Sequence, residues 1–340
     1  MQIKTYFLLF LALNLPFLSI LAISEQVLTA HFTYVTVSKY QVLVSPYNMT
    51  DIVKLLKEAK KAIYIEVYIL TYQDLADVLA SKSQSGVEVY LVLSSRVYNG
   101  IPNSEYSIIQ YLNSSGVHVK FLHNKFNYVH SKVFVIDNET VIISTNNPTY
   151  SGFTRDLGVA LVIYNSTIAT WFSTIILNDY KEYFPNYDYP GLVISPINSY
   201  SQLYNLFSYP SSTIYAAFEE IYTDSGLTNA LLSHQKVYVV ASRTDLNIPT
   251  IQGLTAKITV VDNYVYLGSI NLSKSSVDSN RELGIIIMND TLAKQMRSII
   301  MSWYGTSTES TSTTSKFEVY MIIFIVVLLL LILLLARLRR

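Results

Sequence analysis

Short apolar runs rich in β-branched residues alternate with amphipathic stretches from about residue 26 to residue 304. Apolar positions from Thr50 to Ala62 recur at helical spacing and lead into a strand-like run from Ile63 to Leu70. A further apolar run covers Gly86 to Leu93, and two shorter ones follow at Lys132 to Ile136 and Val141 to Ile143. Strands that alternate with helical patterns predict an α/β layer structure.

The last two runs form a predicted hairpin that carries several polar side chains. Asp137 opens the turn between the strands, and His130 and Lys132 precede it in the order His-x-Lys-x4-Asp. Residues two apart on a strand share a face, so His130 and Lys132 point the same way, and Asn146, two residues after Ser144, can lie beside them. An imidazole, an ammonium group and an amide on one surface form a site for an oxyanion such as phosphate.

An altered copy of this stretch lies between Leu254 and Gly284. Lys257 and Asp262 keep the spacing of the first copy, but Thr255 stands where the second histidine is expected. Both copies have a serine and an asparagine after the second strand and close with Arg-acid-Leu-Gly, at Ser144, Asn146 and Arg155 to Gly158, and at Ser269, Asn271 and Arg281 to Gly284. The chain therefore contains an internal duplication.

The surroundings of the two copies repeat in the same order. Val44-Ser45-Pro46 precedes the first helical stretch and Ile194-Ser195-Pro196 the second. In the second half, the predicted helix and strands are Ser201 to Tyr209, Thr213 to Phe218 and Gln235 to Ala241. We expect the first half to cover residues 25–188 and the second to cover residues 189–305.

The His-x-Lys-x4-Asp spacing resembles the HKD motif of the phospholipase D superfamily, whose members cleave or transfer phosphodiesters of lipids or nucleic acids. The resemblance covers nearly all of the body of the chain. It implies an α/β fold with two similar halves, each a mixed sheet flanked by helices. The halves are expected to pack about a pseudo-twofold axis and to supply one motif each to a shared cleft.

The resemblance also implies a role for each site residue. His130 would be the nucleophile that attacks phosphorus to form a phosphohistidine, and Asp156 would fix its tautomer; the alternative for Asp156 is a solvated loop residue paired with Arg155. Lys132 and Lys257 would face the non-bridging oxygens. The phosphate-binding groups would be completed by Asn146, Asn271, Ser144 and Ser269, and the turn residues Asp137 and Asp262 would brace the site.

The threonine at position 255 changes the expected activity. A threonine hydroxyl is not a usable general acid near neutral pH, so the loss of leaving-group protonation costs about 10²- to 10⁴-fold. Glu282, whose counterpart would orient the missing histidine, is then left without its usual partner. Glu66 interrupts an apolar strand and is either a substitute acid or part of a structural ion pair.

Composition and charge exclude several classes of function. The chain has 24 Lys and Arg against 24 Asp and Glu, so no general electrostatic attraction to nucleic acid is indicated, although a local basic groove is not excluded. It contains no cysteine, which excludes disulfides and thiol nucleophiles. Because the lysines supply the positive charge that a metal would otherwise bring, we expect no metal and no cofactor.

Both ends of the chain have membrane-type patterns. Residues 1–24 have the layout of a secretory signal or of an uncleaved anchor, and residues 317–336 form an apolar run followed by a basic tail at 337–340. A Ser/Thr stalk at 306–316 separates the body from this run. The basic tail predicts a cytoplasmic C-terminus and an external body. Sequons at Asn48, Asn113, Asn138, Asn165 and Asn289 fit an exported glycoprotein.

Two functions from different classes remain open at this stage. The first is a membrane-anchored, extracytoplasmic phosphodiesterase of reduced activity that acts on lipid or nucleic acid through His130. The second is a pseudoenzyme that keeps the phosphate cradle and binds an anionic ligand or a surface partner. The expected partners are a phosphodiester or anionic ligand and, through the C-terminal helix, a lipid bilayer. The sequence does not determine the oligomeric state.

Overall fold

The structure is a computed structural model that describes residues 31–123 and 125–307. The predicted signal or anchor, the membrane run and the basic tail lie outside the described residues. Within the described ranges, no helix combines the length and the apolar character needed to cross a bilayer. The last helix still includes residues 306 and 307, so the predicted stalk does not begin at 306.

The first half is built on a seven-stranded mixed sheet with the strand order β1-β7-β6-β5-β2-β3-β4. β2, β3 and β4 are parallel to one another, and the other neighbouring strands are antiparallel. The strands are β1 (Tyr40–Ser45), β2 (Ala62–Val67), β3 (Glu88–Ser94), β4 (His118–Leu122), β5 (Lys132–Ile136), β6 (Thr140–Ser144) and β7 (Gly158–Tyr164). The helices are α1 (Asp51–Lys57), α2 (Gln73–Gln84), α3 (Asn103–Ser114), α4 (Tyr150–Thr154) and α5 (Ser166–Tyr180).

The second half repeats this plan with a six-stranded sheet in the order β10-β9-β11-β12-β13-β8. Its strands are β8 (Leu192–Ser195), β9 (Thr213–Ile221), β10 (Lys236–Thr244), β11 (Lys257–Val261), β12 (Tyr264–Gly268) and β13 (Glu282–Met288). Its helices are α6 (Ser199–Phe207), α7 (Thr228–Leu232), α8 (Lys274–Asp278) and α9, which covers residues 290–307, and a 3₁₀ turn covers Thr223–Ser225. Among the described residues, β4 has no counterpart in this sheet.

The duplication extends to individual hydrogen bonds. The Asn48 side chain accepts from the N–H of Val44 at 2.6 Å, and Asn198 accepts from the N–H of Ile194 at 2.7 Å. The equivalent strands β6 and β12 contact each other across the two sheets. A pseudo-twofold arrangement would place such a contact at its axis, and that arrangement of the halves stays a prediction.

Both faces of the central strands are covered, which explains their uninterrupted apolar sequences. Every residue of β2, β5, β11 and β12 is buried. One apolar cluster lies between the sheets and includes residues of both, such as Val133 and Ile258, together with residues of α5 and α9. A second cluster lies under α1, α2 and α3 on the outer face of the first sheet. A sheet buried on both faces has apolar runs rather than alternation.

The segment before β1 corrects the predicted boundary between the halves. Residues from 25 onward were expected to belong to the first half, but Val35 pairs with Ile287 of β13 in the second sheet. The N–H of Val35 donates to the carbonyl of Ile286 at 3.0 Å, and the ring of Phe32 packs on Tyr264 with ring centroids 5.0 Å apart. Because backbone pairing here spans some 250 residues of sequence, no local pattern indicates it.

The two turn aspartates share a backbone conformation but make different contacts. Asp137 and Asp262 have positive φ angles of 55° and 52°, a conformation that Asp and Asn tolerate better than most residues. The Asp137 carboxylate accepts from the backbone N–H groups of residues 60, 61 and 62, with distances down to 2.7 Å. These bonds fix the end of β5 against the start of β2. The carbonyl of Asp262 accepts from the Arg297 guanidinium.

Glu105 on α3 is a buried carboxyl that makes stability depend on pH. Its Oε1 accepts from the N–H of Leu70 at 2.8 Å, and no described donor reaches Oε2. Burial raises the pKa of Glu105 from 4.5 to about 7. Because the folded protein holds this proton more tightly than the unfolded chain, the stability linked to it is present below about pH 4.5 and is lost as the pH rises through about 7.

We therefore expect the Glu105→Gln variant, which carries no charge to bury, to gain stability relative to the parent as the pH is raised from about 5 to about 8. The expected change in the free energy of unfolding is about 2 to 3 kcal/mol, at about 1.4 kcal/mol per pKa unit. Urea unfolding of both proteins at the two pH values measures it. A difference between the proteins that is the same at both pH values would contradict the prediction.

Candidate active site

His130 lies at the junction of the two halves. It immediately precedes β5, and its N–H donates to the carbonyl of Arg281 in the second half at 2.7 Å. Its Nδ1 lies 3.0 Å from Oε2 of Glu282, and its ring packs edge-on against Tyr68 with ring centroids 5.0 Å apart. The His130 side chain is 15% exposed, whereas Glu282 is fully buried. The imidazole is therefore partly exposed to solvent and is held in place by the buried Glu282.

The carboxylate that orients His130 is Glu282, not Asp156, and the sequence-based assignment of Asp156 to this role was wrong. The repeat shows that Asp156 and Glu282 are equivalent positions, but it does not show whether each carboxylate contacts the motif of its own half or that of the opposite half. In the folded protein the segment before β13 crosses to the first half, where Val129 bridges to Arg281. Glu282 consequently reaches the histidine of the opposite half.

Glu282 is kept ionised although it is fully buried. Burial alone would raise its pKa, but His130 and Lys132 hold the pKa of Glu282 below the ordinary value of 4.5. The Ser276 hydroxyl donates to Oε1, and Asn280 Nδ2 donates to the same oxygen at 3.1 Å. A carboxylate with this many donors fixes one tautomer of the imidazole, with the proton on Nδ1 and a free lone pair on Nε2.

Lys132 is a buried amine that shares its surroundings with a second lysine. Its ammonium group donates to the carbonyl of His130 and lies 5.6 Å from the centroid of the Tyr68 ring. Burial and the nearby charge of Lys257 lower the pKa of Lys132 to about 7, against the opposing effect of Glu282 and Glu219. Two ammonium groups that repel each other at close range form a site that favours an anion.

Lys257 connects the halves from the other side. Its Nζ donates to Thr255 O at 2.9 Å within its own half and lies 3.4 Å from Thr145 O of the first half. Its shortest contact, at 2.6 Å, is with Oε2 of Glu219 on β9. Lys257 thus contacts both halves and its charge acts on Lys132, while the binding of one phosphate by both lysines stays a prediction.

Glu219 is a site residue that the sequence reading missed. Burial would raise the pKa of Glu219, but Lys257, His130 and Lys132 together lower it to about 2. Arg243 also donates to it at 3.0 Å and to the adjacent Glu220 at 2.6 Å. The only sequence signal was a pair of glutamates at the end of an apolar strand, the same kind of signal that singled out Glu66.

Thr255 and Asp156 lie where a second histidine and its carboxylate partner are expected. The Thr255 hydroxyl lies 3.3 Å from the carbonyl of Leu157 and donates to it. Asp156 is partly exposed and is hydrogen-bonded to Ser151; burial raises its pKa above the ordinary value of 3.8. The backbone bridge here joins Leu254 to Leu157, two residues later than the equivalent bridge at Arg281. The altered half is therefore not an exact copy of the intact one.

The serines and asparagines that follow the hairpins bond to nearby loop, helix and strand residues. Asn146 is fully buried, and its Nδ2 donates to the carbonyl of Gly152 at 2.8 Å. A Cβ at Gly158 would come within 1.9 Å of Asn146 Oδ1, so glycine is required there. Asn271 pairs with Glu220, while Ser144 and Ser269 bond to backbone groups of Asn146 and Leu283. In the described residues the two amides are engaged within the protein, and their donation to an oxyanion stays a prediction.

Glu66 belongs to a buried charge cluster rather than to the lysine pair. Its Oε1 accepts from Ser131 Oγ at 2.5 Å, and its side chain is fully buried. Burial and the neighbouring Asp179 raise the pKa of Glu66 well above its ordinary value, while Arg281 opposes this. Arg281 in turn makes a two-point contact with Asp179, with Nε–Oδ2 and Nη2–Oδ1 distances of 2.6 and 2.9 Å. The structural ion-pair alternative is the one that this geometry fits.

The described residues include no set of three or more His, Cys, Asp or Glu side chains placed to hold a metal ion. His123 is exposed on the loop after β4. The site is therefore composed of His130 and Glu282 on one side and of Lys132, Lys257 and Glu219 around it.

Comparison with known proteins gives a consistent result. The sequence matches the family described as "Cardiolipin synthase, PLD-like domain" over residues 52–180 and 208–303. Cardiolipin synthase 2 of Staphylococcus epidermidis is 28% identical over 134 residues, which make up 38% of this chain and 26% of the relative. This chain thus matches about a quarter of the length of that relative.

Two solved structures share the fold at 14% sequence identity. Phosphatidylserine synthase from Haemophilus influenzae superposes with a TM-score of 0.62 and covers 82% of this chain and 89% of that chain. Polyphosphate kinase from Porphyromonas gingivalis superposes with a TM-score of 0.63 and covers 77% of this chain and 50% of that chain. At this identity the likeness concerns the architecture of the two halves.

Proposed function

The chain belongs to the phospholipase D-like family described as cardiolipin synthase, PLD-like domain, and on that premise we propose that it is a phosphodiesterase whose nucleophile is His130. The observation that carries the proposal is the His130–Glu282 contact beside two converging lysines. It supplies a nucleophile with a fixed tautomer next to positive charge for the phosphoryl oxygens.

In the proposed reaction, Nε2 of His130 attacks phosphorus and forms a phosphohistidine, while the leaving oxygen departs with the P–O electron pair. Glu282 stabilises the positive charge that develops on the imidazole. Lys132 and Lys257 turn from their present backbone and carboxylate partners toward the non-bridging oxygens. Water or an alcohol then attacks the intermediate and releases the histidine. The lysines contribute mainly by stabilising negative charge in the transition state.

The activity is proposed to be low for substrates with poor leaving groups. Thr255 offers no proton donor in the place of a second histidine, which costs about 10²- to 10⁴-fold. Phenolic leaving groups depart without protonation and escape most of this penalty. A membrane-anchored, extracytoplasmic location and a phospholipid substrate complete the proposal; the first rests on the terminal apolar sequences and the second on the name of the cardiolipin synthase relative.

A pseudoenzyme is the second candidate, and one observation favours it. Lys257 is occupied by Glu219 at 2.6 Å, so a phosphate must displace a carboxylate to use this lysine. A protein that only binds anions would show saturable binding without turnover.

The test uses the purified full chain in detergent with bis(p-nitrophenyl) phosphate and, separately, with phosphatidylglycerol vesicles. Release of p-nitrophenol together with an alkali-stable phosphoryl group on His130 supports the enzyme. Release that proceeds without a phosphoryl group on histidine would refute the proposed mechanism. Saturable sulfate binding without release of p-nitrophenol or of lipid products would identify the pseudoenzyme.

Sulfate binding is expected to weaken as the pH rises from about 6 to about 9. Sulfate remains a dianion across this range, whereas Lys132, with a pKa of about 7, loses its charge. Removal of one charged contact costs about 1.5 to 3 kcal/mol, or roughly 10- to 100-fold in affinity. Calorimetric titration of the parent and of Lys132→Met measures the effect. If Lys132→Met shows the same loss of affinity with pH as the parent, Lys132 is not its source.

A further inference from the structure

The position of Glu219 relative to the duplication points to a function. In the first half, Lys132 pairs with Val67 across β5 and β2; in the second, Lys257 pairs with Phe218 across β11 and β9. The next residue along each strand is therefore equivalent in the two halves, and these residues are Tyr68 and Glu219. Tyr68 packs against the His130 ring. Its equivalent, Glu219, lies beside the position where the second histidine is missing.

Backbone contacts fix Glu219 in this place. Its N–H donates to the carbonyl of Ala256 at 2.8 Å, between Thr255 and Lys257. Its carboxylate contacts Lys257 and Arg243. The charges of His130 and Lys132 also act on it from the first half. Glu219 thus contacts the altered motif directly and lies within the electrostatic influence of the intact one.

Glu219 is also the more accessible of the two carboxylates. Its side chain is 24% exposed, compared with 15% for His130 and 1% for Lys257. Glu282, the carboxylate in contact with His130, is fully buried and already accepts three hydrogen bonds or contacts on its oxygens. Solvent therefore has access to Glu219 but not to Glu282.

We propose that Glu219 is the general base that activates water, or an acceptor alcohol, for attack on the phosphohistidine formed at His130. This rests on the proposed function and assigns to Glu219 the second-step role that the missing histidine leaves vacant. The carboxylate takes the proton of the attacking O–H, the new O–P bond forms, and the P–Nε2 bond breaks with its electron pair returning to the imidazole. The proton on Glu219 then passes to solvent. The first step uses no proton from Glu219.

Formation of the intermediate makes Glu219 a stronger base. In the resting protein, Lys257 and the other cations lower its pKa to about 2 despite burial. When Lys257 turns to the phosphoryl oxygens, Glu219 loses its nearest cation and gains a neighbouring negative charge. Both changes raise its affinity for a proton at the stage when a base is needed.

Asp156 is the competing carboxylate, and its surroundings differ. It is equivalent to Glu282 in the repeat, and it is also partly exposed. Besides burial, the groups that shift the pKa of Asp156 are Ser151, Glu219, Lys257 and Arg155. Glu219 contacts Lys257 at 2.6 Å and is equivalent in register to Tyr68, which packs on the His130 ring, and this makes it the better placed of the two.

Burst kinetics with bis(p-nitrophenyl) phosphate test the proposal in the full chain. In Glu219→Gln, one equivalent of p-nitrophenol should appear rapidly, and the steady-state rate should fall about 10²- to 10⁴-fold. Alkaline quenching and intact mass measurement should show His130 accumulating with the remaining p-nitrophenyl phosphoryl group attached. Hydroxylamine, which attacks without a base, should restore turnover. Glu220→Gln is the matched control, because Glu220 shares Arg243 and is equally exposed but does not contact Lys257; it should accumulate no intermediate.

Each contrary outcome has a distinct meaning. Loss of the burst in Glu219→Gln would overturn the proposal, because the residue would then serve the first step or the fold. Accumulation in Asp156→Asn but not in Glu219→Gln would transfer the role to Asp156. If the parent protein itself releases no p-nitrophenol, the proposed function fails, and that result is separate from any difference between the variants.

Discussion

The His130→Ala variant is expected to lose turnover of bis(p-nitrophenyl) phosphate by on the order of 10⁴-fold or more. The proposed reaction has no other nucleophile in the described site, since the neighbouring lysines hold the phosphoryl oxygens and Thr255 bonds to a backbone carbonyl. The residual rate would come from charge stabilisation by the lysines alone. Steady-state rates and intact mass after alkaline quenching measure both the loss of rate and the loss of the phosphoryl group.

The control for this change is His123→Ala. His123 is exposed on the loop after β4 and is not among the contacts of the site. This variant should keep the parent rate. Melting curves of both variants separate loss of chemistry from loss of fold, because Glu282 keeps Ser276 and Asn280 as donors when the imidazole is removed. Turnover by His130→Ala within about tenfold of the parent would remove His130 from the mechanism.

The Asp179→Asn variant is expected to lose about 3 to 5 kcal/mol of stability. Asp179 is fully buried on α5, and Arg281, 1% exposed, makes two contacts with it. Removing one member of a buried pair leaves the other charge without compensation, which costs this much. The change is also expected to affect the position of His130, because the carbonyl of Arg281 accepts a hydrogen bond from the N–H of His130. Urea unfolding measures the free energy directly.

A substitution at Glu66, combined with Asp179→Asn, tests the same buried charge cluster more directly. Glu66 lies beside Asp179, and burial and that carboxyl raise its pKa well above the ordinary value, which favours its protonated form. Without Asp179 it can ionise and partly compensate Arg281. We therefore expect Glu66→Gln combined with Asp179→Asn to cost more than the sum of the single changes. Asp290→Asn, which removes an exposed partner of Lys294, should cost under about 1 kcal/mol. Equal losses of unfolding free energy in Asp179→Asn and Asp290→Asn would contradict the stabilising role of the buried Asp179–Arg281 pair.

Local patterns in the sequence predicted much of this protein. The β-branched runs, the aspartate turn and the two-residue alternation determine that His130 and Lys132 precede and begin a strand whose hairpin closes at Asp137. The repeat determines that the second half has the same order of strands, and it places Lys257 as the partner of Lys132. These features depend on interactions between near neighbours or on comparison of one segment with another. Both are visible without coordinates.

The tertiary structure decided the relations between segments far apart in the chain. It assigned Glu282 rather than Asp156 to His130, because the segment before β13 crosses to the opposite half and the repeat alone is symmetric with respect to that choice. It joined residues near Val35 to the second sheet and brought the side chain of Asn146 to Gly152 of α4 and that of Asn271 to Glu220 of β9. It also brought Glu219 to Lys257. Strand register determines that contact, and register is set by the packing of both sheets around a shared core, which a single stretch of sequence does not specify.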